Sequence, residues 1–141
     1  MKNLFKKIAT LFAALVMVFG LASCDKSGNV KKAFEKEGYT ITVVNADNTI
    51  VNSVLKMFLN EEQMKEAANY EIMLATKGLS SQAAIIKFPS SKDVKTFFTV
   101  EDSEGKKDTT NYDKAKEDNT INGNCVIFTM SSEAKDIFKK A

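Results

Sequence analysis

Two cysteines, 18 carboxylates and 20 lysines are the groups in this 141-residue chain that could do chemistry, and no histidine or arginine stands beside them. Without histidine the commonest general base and the commonest metal ligand are gone, and Ser-His or Cys-His nucleophile pairs with them. Cys125 sits in Asn124-Cys125-Val126-Ile127-Phe128, an apolar, strand-like run in which a thiol behaves as a small buried hydrophobe. Activating it would take a lysine or a helix N-terminus. Glu61, Glu62 and Glu66 share one helical segment, but Glu in a first turn answers the positive end of the helix and solvates a surface. Asp102, Glu104, Asp108, Asn111, Asp113, Glu117 and Asp118 carry oxygen ligands that would suit calcium. Their spacing departs from the alternating EF-hand loop, however, and Lys106, Lys107, Lys114 and Lys116 are interleaved. Gly-rich phosphate loops, HExxH, CxxC and nucleophile elbows are absent from the sequence. The expectation is therefore no catalytic residue, no metal site and no cofactor.

Cys24 has a different setting. Lys2, Lys6 and Lys7 precede Ile8–Leu21, an almost unbroken apolar run that is shorter than the roughly 20 residues a spanning helix needs. The run closes on Leu21-Ala22-Ser23-Cys24. A basic n-region, an apolar h-region, then a branched apolar residue, two small residues and a cysteine resemble the type II signal peptide and lipobox of bacterial lipoproteins. The resemblance implies that a dedicated signal peptidase reads Leu21, Ala22 and Ser23, removes residues 1–23 and leaves Cys24 as a diacylglyceryl cysteine. The chain would then be lipid-anchored to the cell membrane on its extracytoplasmic side. Two acyl chains at about 0.8 kcal/mol per buried methylene make such attachment effectively permanent. With Cys24 acylated, Cys125 has no partner and no disulfide is expected. In proteobacterial lipoproteins an aspartate such as Asp25 resembles an inner-membrane retention mark, a meaning it lacks in a single-membrane bacterium.

Composition narrows the partners. Without the signal the chain has 17 lysines against 18 carboxylates, close to neutral. Nucleic acid is disfavoured, since phosphate binding asks for a positive face and base readout for the planar guanidinium fork.

The elements that must position any site follow from periodicity and punctuation. Asp25-Lys26-Ser27-Gly28 reads as a flexible leash, so the chain divides into residues 1–23 (signal), 24–28 (lipidated cysteine and linker) and 29–141 (one domain). Val30, Ala33 and Phe34 predict a helix over 29–37 and Tyr39–Val44 a strand. Ile50, Val51, Val54, Leu55 and Phe58 predict a helix that restarts at Asn60, where Gln63 offers a capping partner. Tyr70–Thr76 and Gln82–Phe88 are strands around a short turn, and Ser90 with Asp93 opens a helix carrying Val94, Phe97 and Phe98. The stretch 101–118 is polar and reads as a solvated, mobile excursion, with a helix over 111–117 as the alternative. A strand, Asn124–Met130, and a helix, Ser131–Ala141, finish the chain.

Between the terminal helices the order is β-α-β-β-α-β. That order predicts an α+β domain with a four-stranded antiparallel sheet in split β-α-β, ferredoxin-like arrangement, with NTF2-like or cystatin-like curved sheets as alternatives. Such an architecture carries no activity by itself. Several strands are apolar on both faces, so the second face must be covered by the terminal helices (Val30, Phe34, Ile137, Phe138) or left as a binding strip. The reading that follows is a non-enzymatic, membrane-tethered binding module with a protein or peptide partner. A small-molecule or lipid carrier with an enclosed apolar pocket is the alternative, and an enzyme with a carboxylate or lysine site the second.

Overall fold

The computed structural model describes residues 25–141, so Cys24, the lipobox residues Leu21, Ala22 and Ser23 and the rest of the expected signal lie outside the described residues. Along 25–141 run α1 (Ser27–Lys36), β1 (Thr40–Val44), α2 (Thr49–Lys56), α3 (Glu61–Ala67), β2 (Glu71–Lys77), β3 (Ser81–Lys87) and α4 (Ser91–Phe98). They are followed by β4 (Val100–Glu101), β5 (Lys107–Asp108), α5 (Thr110–Glu117), β6 (Ile121–Asn122), β7 (Cys125–Thr129) and α6 (Ser132–Lys140). The fold is mixed α+β, with six helices and a five-stranded antiparallel sheet among the described residues.

Local chemistry sets the helix starts. The Asn48 side chain accepts from the amides of Ile50 and Val51, and Ser131 Oγ from Ala134 N. Asn60 and Gln63 close a reciprocal capping box at α3. Ser90 Oγ accepts from Asp93 N and donates to the Asp93 carboxylate at 2.8 Å. Each cap satisfies an amide that the helix leaves open, which is worth about 1 kcal/mol.

Strand alternation then fixes two cores. Ile72, Leu74, Ile86, Phe88, Val126 and Phe128 face α2, α3, α4 and α5, where they meet Val51, Leu55, Val94 and Phe97. Met73, Ala75, Ile85, Cys125 and Ile127 face the other way and meet Val30, Phe34, Ala134 and Phe138. The terminal helices α1 and α6 therefore cover the second face, as their apolar stripes predict. Strands buried on both sides are apolar throughout rather than alternating.

The strand order differs from the split β-α-β arrangement. The sheet reads β1-β2-β3-β7-β6, so the four long strands neighbour one another in chain order and β1 lies at an edge. The reason is the break at Asn60. β1 ends at Val44 beside Ile72, and β2 begins at Glu71, at the same end of the sheet. The chain must leave and return on one side, and two helical passes, α2 and α3, do that where a single crossover helix would deliver a strand parallel to β1.

Three further expectations are corrected. The leash over 25–28 is part of the domain, because α1 already starts at Ser27 and the Lys26 amide donates to Asn124 Oδ1 at 2.8 Å. The polar excursion is built as the β4–β5 hairpin and α5, with Ala115 buried and Tyr112 packed against the core. Finally, β6 adds a fifth strand through a two-residue turn in which Gly123 takes φ +61°.

Two measurements check this packing. Phe34→Ala and Phe88→Ala empty opposite faces, so each should cost about 3–5 kcal/mol in chemical denaturation, and the double variant should lose close to the sum. Limited trypsinolysis should cut after Lys106 at the hairpin before Lys114 or Lys116 within α5; early cleavage inside α5 would mean that this helix does not hold in solution.

Candidate functional site

The carboxylates singled out in the sequence do not converge. Glu61 and Glu62 occupy the exposed first turn of α3. Asp102 Oδ1 accepts from the amides of Glu104 and Lys106, and Asp108 Oδ1 from the amide and hydroxyl of Thr110. They serve as turn and helix-start acceptors, a use that keeps them pointed at their own backbone. Among the described residues no three Cys, Asp or Glu side chains come close enough to share an ion. Cys125 is fully buried, and desolvation pushes its thiol up to about 12, so it stays protonated and packs as an apolar group.

Two polar networks were not foreseen. At one end of the sheet Asn124, 2 % exposed, donates from Nδ2 to Phe88 O at 2.8 Å and accepts the Lys26 amide on Oδ1. Its Nδ2 also reaches Asp25 Oδ1 at 3.3 Å, and Asp25 accepts from Ser27 N and Oγ at 3.0 and 2.8 Å. Lys87 Nζ lies 3.4 Å from Asp25 and 3.6 Å from Glu71. The Ser27 amide is the chief reason that the Asp25 carboxyl falls to about 2; the lysine contributes least. For Lys87 partial burial opposes the charge, but Asp25 and Glu71 outweigh it and its pKa rises. Hydrogen bonds rather than the exposed ion pair thus hold Asp25 and Lys26 against β3 and β7.

At the opposite end, Tyr39 Oη donates to Glu133 Oε1 at 2.7 Å and shares a short hydrogen bond with Ser81 Oγ, which in turn meets Ser131 Oγ at 2.9 Å. Lys77 Nζ stands 5.6 Å over the Tyr39 ring. Burial raises the Tyr39 hydroxyl above its ordinary value, so it acts as a neutral donor. The network ties β1, the β2–β3 hairpin and the start of α6 together, with both serines partnered.

The open surfaces are grooves and one edge. A groove of about 590 Å³ between α1 and α6 is lined by Lys36, Glu37, Glu133, Asp136 and Lys140 around Ala33 and Ile137. Another of about 360 Å³ has Phe58, Leu59, Phe98 and Phe128 on its floor and Lys114, Asp118 and Lys135 on its rim. Both open at the surface, the second between β7 and the helices α4 and α5, while the two cores on either side of the sheet are built of buried side chains. The edge is β1. Its sequence, Thr-Ile-Thr-Val-Val, has no charge and no proline, its side chains are exposed or half-buried, and Val43 is 61 % exposed. Among the described residues only β2 bonds its main chain, so the outward row of amides and carbonyls is free. At the other edge β6 is just two residues long.

Compared with known families, curated proteins and solved structures, the chain finds no match.

The Asp25 network has a pH signature. A carboxyl held below its ordinary 3.8 adds stability above that value and loses it as pH falls toward about 2. Discounted for solvent screening at this exposed group, the contribution is about 1 kcal/mol. Asp25→Asn should therefore unfold more easily than the wild type at pH 6 and equally easily at pH 2. A difference that stays constant across that range would remove the carboxylate from the account.

Proposed function

We propose that this chain is a membrane-tethered extracytoplasmic lipoprotein whose domain is a non-enzymatic interaction module, binding an extended protein segment along the edge of β1. The lipid half rests on the n-region, the h-region and Leu21-Ala22-Ser23-Cys24. It is compatible with a chain in which no helix among the described residues is long and apolar enough to cross a membrane. The anchor is the acylated Cys24, placed at the extracytoplasmic face of the cell membrane.

The binding half is carried by one observation, the unprotected β1 edge. Proteins usually blunt such edges with lysine, proline, a bulge or a covering loop, and β1 has none of these within its five residues. An added strand would gain main-chain hydrogen bonds, and alternate side chains would meet Ile41 and Val43 on one face and Thr42 and Val44 on the other. Among the described residues the carrier alternative has open grooves with charged rims to work with, and no three Cys, Asp or Glu side chains come together for the enzyme alternative.

Mass spectrometry of the envelope fraction should find a mature N-terminus at Cys24 bearing acyl mass, and Cys24→Ser should leave unmodified precursor. A photo-crosslinker at Thr42 should form adducts with another protein that Val43→Lys abolishes and that a crosslinker at Lys92 on α4 does not form. Equal adducts at both positions, or none at Thr42, would remove β1 from the proposal.

A further inference from the structure

We infer that the domain is seated on the lipid surface by the end of its sheet that bears Lys87 and Asn124, with the β2–β3 hairpin tip at Gly78–Ser80 pointing away. This rests on the lipoprotein reading of Cys24 and adds an orientation to it.

The length of chain between anchor and domain carries the seating. Residue 24 is one peptide from Asp25, whose carboxylate is fixed by Ser27, Asn124 and Lys87, and the next amide, Lys26 N, is bonded to the buried Asn124. Consecutive Cα atoms are about 3.8 Å apart, so the acylated thiol has no leash and this end must lie at headgroup level. Charge adds little to it. Lys26 adjoins Asn124, while Lys139 and Lys140 close α6, whose last carbonyls accept from Asn122 next to the same turn. None of these three lysines has an acidic partner within salt-bridge distance among the described residues. The same end carries acids as well: Lys87 offsets one of the two carboxylates Asp25 and Glu71 beside it, and Glu66 and Asp93 act on Tyr70 next to Glu71, so these lysines are local charges on an end close to balance. Their attraction to lipid phosphates is a minor addition to the constraint set by the chain length.

The hairpin tip is then the far point. β2 has seven residues, and at about 3.3 Å per residue its ends are roughly 20 Å apart. Leu79, 95 % exposed, stands at that outer end.

The test uses the full chain, processed by its host and reconstituted in phosphatidylethanolamine–phosphatidylglycerol vesicles carrying a headgroup-level spin-labelled lipid quencher. Fluorophores go on Asn69→Cys and, separately, Ser80→Cys, exposed positions at the two ends of β2; the buried Cys125 thiol does not compete. The label at 69 should be quenched several-fold more than that at 80. Inserting Gly-Ser-Gly between Cys24 and Asp25 should bring the ratio close to one. Equal or inverted quenching in acylated protein overturns the seating while leaving lipidation intact. An unchanged ratio after insertion overturns the role of the Asp25–Asn124 contacts. A chain without acyl mass overturns the lipoprotein reading and the seating with it.

Discussion

A sheet that is apolar on both faces must be covered on both, and the rest of this structure follows from that. Ile85 and Ile127 point one way, Ile86 and Val126 the other, and neither set can be left in water. Exposing a single buried residue of this size costs about 1.5–3 kcal/mol, comparable with a sizeable part of a small domain's whole stability. α1 and α6 are therefore obligatory parts of the fold rather than decorations at its ends. Because α1 must reach the sheet, the chain has to be ordered from its first helical turn, which brings Asp25 and Lys26 onto Asn124. The covering of the second face and the fixing of Asp25 and Lys26 on Asn124 are one constraint seen twice.

The same constraint explains why the interior offers so little chemistry. Helices cover both faces of the sheet and leave an open groove beside Phe128, and the polar groups buried among the described residues are partnered: Asn124 with Phe88 and Lys26, Ser81 with Tyr39 and Ser131, Thr129 with the Gln82 carbonyl. A buried polar group with partners stiffens its surroundings and fixes one arrangement. What remains open is the periphery, where the outward amides and carbonyls of β1 have no main-chain partner among the described residues.

Much of this was legible in the sequence, and what was not has identifiable causes. Asn60 with Gln63 and Ser90 with Asp93 announce their helices because capping is a local event within three residues. Cys125 was readable as core from its neighbours alone. Strand order was not, because period-two patterning says which face a residue takes and nothing about which strand lies beside it. The segment 101–118 looked unable to order itself on so few apolar residues. It does so because Asp102 and Asp108 satisfy turn amides locally and Tyr112 adds packing, with Lys95 and Lys116 over its ring. The Asp25 cluster was invisible for a different reason: its anchor, Asn124, lies 98 positions from Lys26.

The open edge and the short tether also bear on each other. Strands pair most readily antiparallel, and a second copy of β1 would fit well, with Thr42 opposite Thr42 and Ile41 opposite Val43 among its pairs. That arrangement needs a two-fold axis perpendicular to the sheet, which turns one domain end over end. Val44 of β1 lies at the end of the sheet where Asp25 is held and Thr40 at the other, so the two copies would present their first residues at opposite ends of a continuous sheet. Two domains seated on one lipid surface by an acylated Cys24, as proposed, could not meet that condition without tearing Asp25 from Asn124. On the lipid anchor proposed at Cys24, so short a tether would disfavour self-pairing at β1 between neighbours on the same membrane, which edge strands otherwise invite, and would leave the edge to a chain that arrives with a free choice of direction.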